Sequence, residues 1–157
     1  MKKILFVCLG NICRSPAAHG VMENEVKRLG KQDEFFIDSA GTSGQHSGDL
    51  PDARMRQSAT SRGYTLDSLS RKFTVDDFEE FDLILAMDKS NLSNILKLDS
   101  NEKYRGKVRL FCEFCTRTSL EEVPDPYWSG RDGFEQVLDI VEDGVQGILK
   151  CYESEKK

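Results

Sequence analysis

Near its start the chain reads ILFVCLGNICRSP, an apolar run from Ile4 to Cys8 that breaks at Gly10-Asn11 and passes through Cys13-Arg14-Ser15 into Pro16. No other stretch restricts the fold as much. A short continuous apolar run ended by a turn pair predicts a buried strand, here Lys3–Val7. A residue pair Ser15-Pro16 then starts a helix, with Ser15 as N-cap and Pro16 in the first turn, where its missing N–H costs nothing. A secretory segment needs roughly 7–15 apolar residues and a membrane span about 20. The break at Gly10-Asn11 and the charge at Arg14 fit neither, so the expectation is a cytoplasmic protein.

The remainder alternates short apolar runs with helical patterns. The first helix extends from Pro16 to about Leu29 and closes at Gly30. Strands are expected at Glu34–Asp38, Asp82–Met87 and Lys107–Phe111. Helices are expected from Leu50-Pro51-Asp52 to near Gly63, from Thr74-Val75-Asp76-Asp77 with its acidic first turn, from Asp88 to about Leu98, and from about Asp132 to Tyr152. In the last of these Phe134, Val137, Leu138, Val141, Val145, Ile148 and Leu149 share one face, while Gly144 and Gly147 weaken it locally. Ser39–Asp49 reads as a loop. Alternating strands and helices imply βαβ units and a parallel sheet, whose ligands bind beyond the C-terminal strand ends. The 157 residues suit one domain spanning 1–157. A net charge of −5 argues against nucleic acid or an anionic membrane as partner, but not against a small anion at a local site.

Cys8 to Ser15 has the pattern C-x5-R-S, placed between strand and helix. Its parts suit an oxyanion cradle. Gly10 and Asn11 tolerate positive φ, so successive N–H groups can turn inward. The helix aims its positive end at the same space, and Arg14 offers a bidentate fork. An electropositive bowl of this kind favours a thiolate over a thiol, which makes Cys8 a candidate nucleophile. The five cysteines are odd in number and fit free thiols better than a disulfide framework. A bare C-x5-R is weak evidence; the flanking strand and helix strengthen it.

With VCLGNICRSP, the stretches DSAGTSG (Asp38–Gly44), FDLILAMDKSNL (Phe81–Leu92) and VPDPYW (Val123–Trp128) occur in an order that resembles the low-molecular-weight protein tyrosine phosphatases. The resemblance implies a three-layer α/β fold with a four-stranded parallel sheet of order 2-1-3-4, flanked by helices, and a phosphate-binding loop after the first strand. It also implies hydrolysis of protein phosphotyrosine through a phosphocysteine, without metal or cofactor. Cys8 would be the nucleophile, Arg14 the phosphate-binding group, and Asp125 the general acid and then base. Leu9, Gly10, Asn11, Ile12, Cys13, Ser15, Gln45, Tyr127 and Trp128 would bind substrate, with Ser39 and Asp88 supporting them. The implied partners are phosphotyrosine-containing proteins and inorganic phosphate as product and inhibitor, and the implied state is a monomer.

Two positions depart from the family pattern. Gln45, with His46 beside it, stands where many relatives carry an aromatic cleft wall, and Ser68 stands where relatives often carry a histidine that buttresses the loop. His19 and His46 read as surface or helix-face residues, and Arg54 as a solvated helix charge. Oxidation is expected to join Cys8 to Cys13 and so protect Cys8. Cys112-x2-Cys115 reads as a strand-end and a loop cysteine rather than a zinc or redox motif. The competing functions are a thiol-linked arsenate reductase on the same fold, in which a further cysteine pair relays the disulfide, and a non-catalytic phosphate-binding module.

Overall fold

The computed structural model describes residues 1–127 and 129–155. Its elements are β1 (Lys2–Cys8), α1 (Arg14–Arg28), β2 (Phe35–Gly41), α2 (Ala53–Ser61), α3 (Asp76–Glu80), β3 (Leu83–Ala86), α4 (Lys89–Lys97), β4 (Val108–Leu110) and α5 (Arg131–Glu155). All strands are parallel in the order β2-β1-β3-β4, as expected, so β1 is central and its C-terminal end opens at the middle of one sheet edge.

The apolar run of β1 is buried because helices cover both faces of the sheet. Ile4, Phe6 and Cys8 face a core formed with Ala17, Val21 and Met22 of α1, Met55 of α2 and Phe134 through Leu149 of α5. Leu5 and Val7 face a second core with Phe78 of α3, Ile84 and Ala86 of β3 and Ile95 of α4. Full burial of one such side chain contributes about 1.5–3 kcal/mol, which is what fixes β1 between the layers.

Several boundaries differ from expectation. Helix α1 begins at Arg14, and Cys13, not Ser15, occupies its N-cap position. The Cys13 carbonyl already accepts the Ala17 N–H at 3.1 Å, so the helical ladder starts two residues early and leaves the Ser15 hydroxyl for other work. Strand β2 runs on to Gly41, because Ser39, Ala40 and Gly41 pair with Phe6, Val7 and Cys8. Their small and polar side chains hid this extension. Helix α2 starts after its cap: Asp52 accepts the Arg54 N–H, and Leu50 and Pro51 lie outside.

The two glycines of α5 have a packing reason. A Cβ at Gly144 would lie 2.3 Å from the Phe111 ring, and one at Gly147 would lie 1.7 Å from the Phe114 carbonyl oxygen. The turn after β4 therefore rests directly on the α5 backbone. Gly147→Ala should destabilise the fold by about 3 kcal/mol despite its gain in helix propensity, a fall in Tm of about 10 °C by calorimetry. An unchanged or raised Tm would show that this contact is not needed.

Candidate active site

The loop between β1 and α1 is held from outside by its carbonyls. The carbonyls of Cys8 and Leu9 accept the N–H groups of Thr42 and Ser43, both at 2.9 Å, and that of Ile12 accepts the Asp52 N–H at 2.8 Å. The Gly10 carbonyl accepts the Ser70 hydroxyl at 3.0 Å. Among the described residues no peptide bond is cis, so each outward carbonyl turns the next residue's N–H the other way. The N–H groups of Leu9, Gly10, Asn11 and Cys13 thus point to the concave side, an oxyanion nest at the positive end of α1.

Asn11 makes the tightest bend, at φ 56°, and is buried; Gly10 does not share this left-handed conformation. Its amide is fixed at both ends. Oδ1 accepts the Arg71 N–H at 3.0 Å, and Nδ2 donates to Ser15 Oγ at 2.8 Å. Having accepted that bond, Ser15 has one hydrogen to give. Cys8 Sγ is 3.0 Å away, against 3.4 Å for the Ala40 carbonyl. The hydroxyl is therefore best placed to donate to the sulfur, and a thiolate is its better acceptor.

Arg14 lies beside this sulfur with a side chain only 3% exposed. Nη1 donates to Asp88 Oδ2 at 2.6 Å and to the Val123 carbonyl at 3.0 Å. Nη2 lies 3.6 Å from Asp125 Oδ2. Burial opposes its charge, but Cys8, Asp88 and Asp125 outweigh burial and hold the guanidinium above its ordinary pKa. Cys13 behaves oppositely. Burial first, then Asp52, Cys8 and Asp125, push its thiol far up, so it stays protonated.

Above the nest a cavity of about 350 Å³ is lined by Cys8, Leu9, Gly10, Ile12, Cys13, Arg14, Ser43, Gln45, His46, Asp125 and Tyr127. Asp125 is half-exposed at its rim, between Pro124 and Pro126, and its Oδ1 accepts the Tyr127 N–H at 3.1 Å. The Tyr127 ring is braced by Arg54, whose guanidinium carbon lies 5.4 Å from its centre and 4.8 Å from that of Phe134. Arg54 is held there by Asp52; it is exposed, as a solvated helix charge would be, and it also stacks on these two rings. His46 is likewise a cavity wall rather than a plain surface residue.

Asn11 and Ser15 lie beneath the cavity rather than lining it. Asp88 supports the site twice over, capping α4 through the Asn91 N–H and holding Arg14. Ser39 is more remote: its buried hydroxyl meets His19 Nδ1 at 3.0 Å, and His19 Nε2 meets Glu23 at 2.8 Å. His19 is therefore buried, not on the surface. Support for the loop from the Leu66–Arg71 segment comes from Ser70 and Arg71, which the sequence reading missed. Arg71 is itself clamped by Asp38 at 3.1 Å and Asp77 at 3.0 Å. No periodicity or motif marks either residue. Trp128 lies outside the described residues. Cys112 and Cys115 are not among the residues that line this cavity.

Such a site can bind a tetrahedral oxyanion and present a sulfur nucleophile on one side and a carboxyl group on the other. Asp88→Ala should cost about 3 kcal/mol in urea unfolding, since it strands a buried guanidinium and removes a helix cap. Asp88→Asn, which keeps the cap, should cost roughly half as much; equal losses would separate neither role.

Residues 3–157 match the family model described as low molecular weight phosphotyrosine protein phosphatase. A low molecular weight phosphotyrosine protein phosphatase of Schizosaccharomyces pombe is 43% identical over 149 residues, covering 94% of this chain and 95% of its own. A crystal structure of a protein tyrosine phosphatase from Entamoeba histolytica, with Hepes in its active site, superposes with a TM-score of 0.93 at 42% identity, over 100% of both chains. The structure of a Drosophila arginine phosphatase superposes with a TM-score of 0.89 at 32% identity, covering 97% of this chain and 98% of its own.

Proposed function

The chain belongs to the low molecular weight phosphotyrosine protein phosphatases, and from that membership we propose that it hydrolyses protein phosphotyrosine in two steps through a phosphocysteine. The observation that carries the mechanism is the placing of Cys8 Sγ within 3.0 Å of Ser15 Oγ at the base of the nest, with Asp125 facing it across Arg14 at 3.6 Å.

In the first step the Cys8 thiolate attacks phosphorus and the bond to the tyrosyl oxygen breaks. Asp125 gives its proton to that oxygen, so the leaving group departs as a phenol. The inward N–H groups and the Arg14 fork bear the charge on the equatorial phosphoryl oxygens, and the bonds from Arg14 to Asp88 and Val123 fix the plane of the fork. In the second step the Asp125 carboxylate takes a proton from water, whose oxygen attacks phosphorus. The S–P bond breaks, inorganic phosphate leaves, and the hydrogen bond from Ser15 stabilises the returning thiolate. Because phosphate fits the same nest, it is a product inhibitor. No step calls for a metal, and the domain 1–157 acts as a monomer.

Ile12 and Tyr127 offer apolar walls to an aromatic ring, whereas Asp125 is the one carboxylate among the described lining residues. A guanidinium substrate would call for more acidic surroundings, so phosphotyrosine is favoured over phosphoarginine. Arsenate reduction is disfavoured because Cys112 and Cys115, the candidate relay pair, do not reach the cavity. A mere binding module would need neither the thiol nor the acid.

Wild-type protein should turn over para-nitrophenyl phosphate and a phosphotyrosine peptide, unaffected by EDTA. Cys8→Ser should abolish turnover, and Asp125→Ala should lower kcat by about 10²–10⁴. A phosphoarginine peptide cleaved faster than the phosphotyrosine peptide would overturn the substrate assignment. The protein acts in the cytoplasm, where peroxide converts the Cys8 thiolate to a sulfenic acid that the neighbouring Cys13 thiol captures as a disulfide. Both cysteines fall in the tryptic peptide Ile4–Arg14, which should lose two hydrogens after brief peroxide treatment. Recovery of Cys8 sulfonic acid alone would argue against that protection.

A further inference from the structure

Cys112 and Cys115 occupy the 3₁₀ turn Phe111–Phe114 and the residue that follows it, where the chain leaves β4 and packs on α5. The Cys115 N–H donates to the Cys112 carbonyl at 3.1 Å and closes the turn. A 3₁₀ turn has three residues per turn and about 2 Å rise per residue, so side chains i and i+3 stack with their Cα atoms about 6 Å apart. That lies inside the window of about 4.4–6.8 Å that a disulfide requires. An α-helical turn would instead swing the two side chains about 60° apart. From this turn geometry we infer that Cys112 and Cys115 are a second redox-active thiol pair, which closes to a disulfide on reaction with hydrogen peroxide.

The two thiols are not equivalent. The Cys115 Sγ lies 3.7 Å from the Ile140 carbonyl, to which it donates, and the mutual influence of the two thiols lowers the pKa of Cys112 and raises that of Cys115. Cys112, the more acidic of the two, is the sulfur that attacks first, and Cys115 the thiol that resolves it. The Asp143 carboxylate nearby is held by the N–H groups of Thr116, Arg117 and Thr118, each at 3.0 Å, and its charge adds to the rise at Cys115. Cys112 is 8% exposed and Cys115 half-buried, which favours a small peroxide over a bulky disulfide as oxidant. Among the described residues no group of three or more His, Cys, Asp or Glu is arranged to hold a metal, so zinc does not compete for the pair.

The chemistry balances in two steps. The Cys112 sulfur attacks one peroxide oxygen, the O–O bond breaks, and a sulfenic acid and one water form. The Cys115 sulfur then attacks the Cys112 sulfur, the S–O bond breaks, and the hydroxyl leaves as a second water with the Cys115 proton. Two thiols lose two electrons and peroxide gains them.

Both cysteines lie in the tryptic peptide Leu110–Arg117, with no cleavage site between them. The whole protein is treated with hydrogen peroxide, alkylated, digested and weighed. The expected result is an unalkylated peptide lighter by two hydrogens, restored to two alkylated thiols by dithiothreitol, and formed equally in Cys8→Ser. In Cys115→Ser, Cys112 should instead gain two oxygens as sulfinic acid. The inference is overturned if Leu110–Arg117 remains reduced while Ile4–Arg14 is oxidised, or if wild-type Cys112 gains oxygens without linkage.

Discussion

The architecture of the site depends on a buried positive charge. Arg14 has almost no contact with solvent, and an isolated guanidinium in that position would cost several kcal/mol. Its compensation comes from distant parts of the chain: Asp88 at the start of α4, the Val123 carbonyl, and Asp125 two residues further on. These three hold the ends of β1 and β3 and the chain beyond β4 in one relation, because any displacement would strand the charge. The same bonds leave the guanidinium oriented before any anion arrives, which is the condition for electrostatic stabilisation without reorganisation.

The loop around that charge gets its shape from the segments outside it. Its carbonyls are taken by Thr42, Ser43, Asp52 and Ser70, and its one left-handed residue is fixed by the Arg71 amide. The arrangement solves two problems together. Buried carbonyls are satisfied, and the N–H groups are turned toward the space an anion will fill. The bonds from Asn11 to Ser15 to Cys8 then carry this fixed geometry to the sulfur.

The strand-turn-helix context of Cys8 and Arg14 was legible because apolar periodicity, turn residues and a phosphate-cradle pattern coincide in about fifteen residues. The sheet order followed once the resemblance was recognised, and the cavity does gather Cys8, Arg14, Asp125 and Tyr127. What escaped were interactions that leave no local trace. Ser15 has the composition of a helix cap, yet its hydroxyl is drawn to a tertiary partner, and the ladder starts at Cys13. Ser70 and Arg71 act through one hydroxyl and one backbone amide on residues sixty positions away, which no pattern reveals. Gly144 and Gly147 read as weak points in a helix, although each makes room for another segment. His19 looked like a helix-face residue because its partners Ser39 and Glu23 are visible only in the folded chain.

The central position of β1 has a kinetic consequence. The first strand of the chain must accept β2 on one edge and β3 on the other, and the arginine that follows it waits for a carbonyl 109 residues away. Parallel pairings and contacts of such separation close large loops before they return any stability, so they form late. Until β4 and the residues after it have docked, the nascent loop would hold a charge without partners and a sulfur without its hydroxyl. The anion nest is therefore absent from partly folded forms of the chain. Cys8, Ser15 and the partners of Arg14 come together only with the completed sheet, so the site is a product of the whole fold and not of the loop alone.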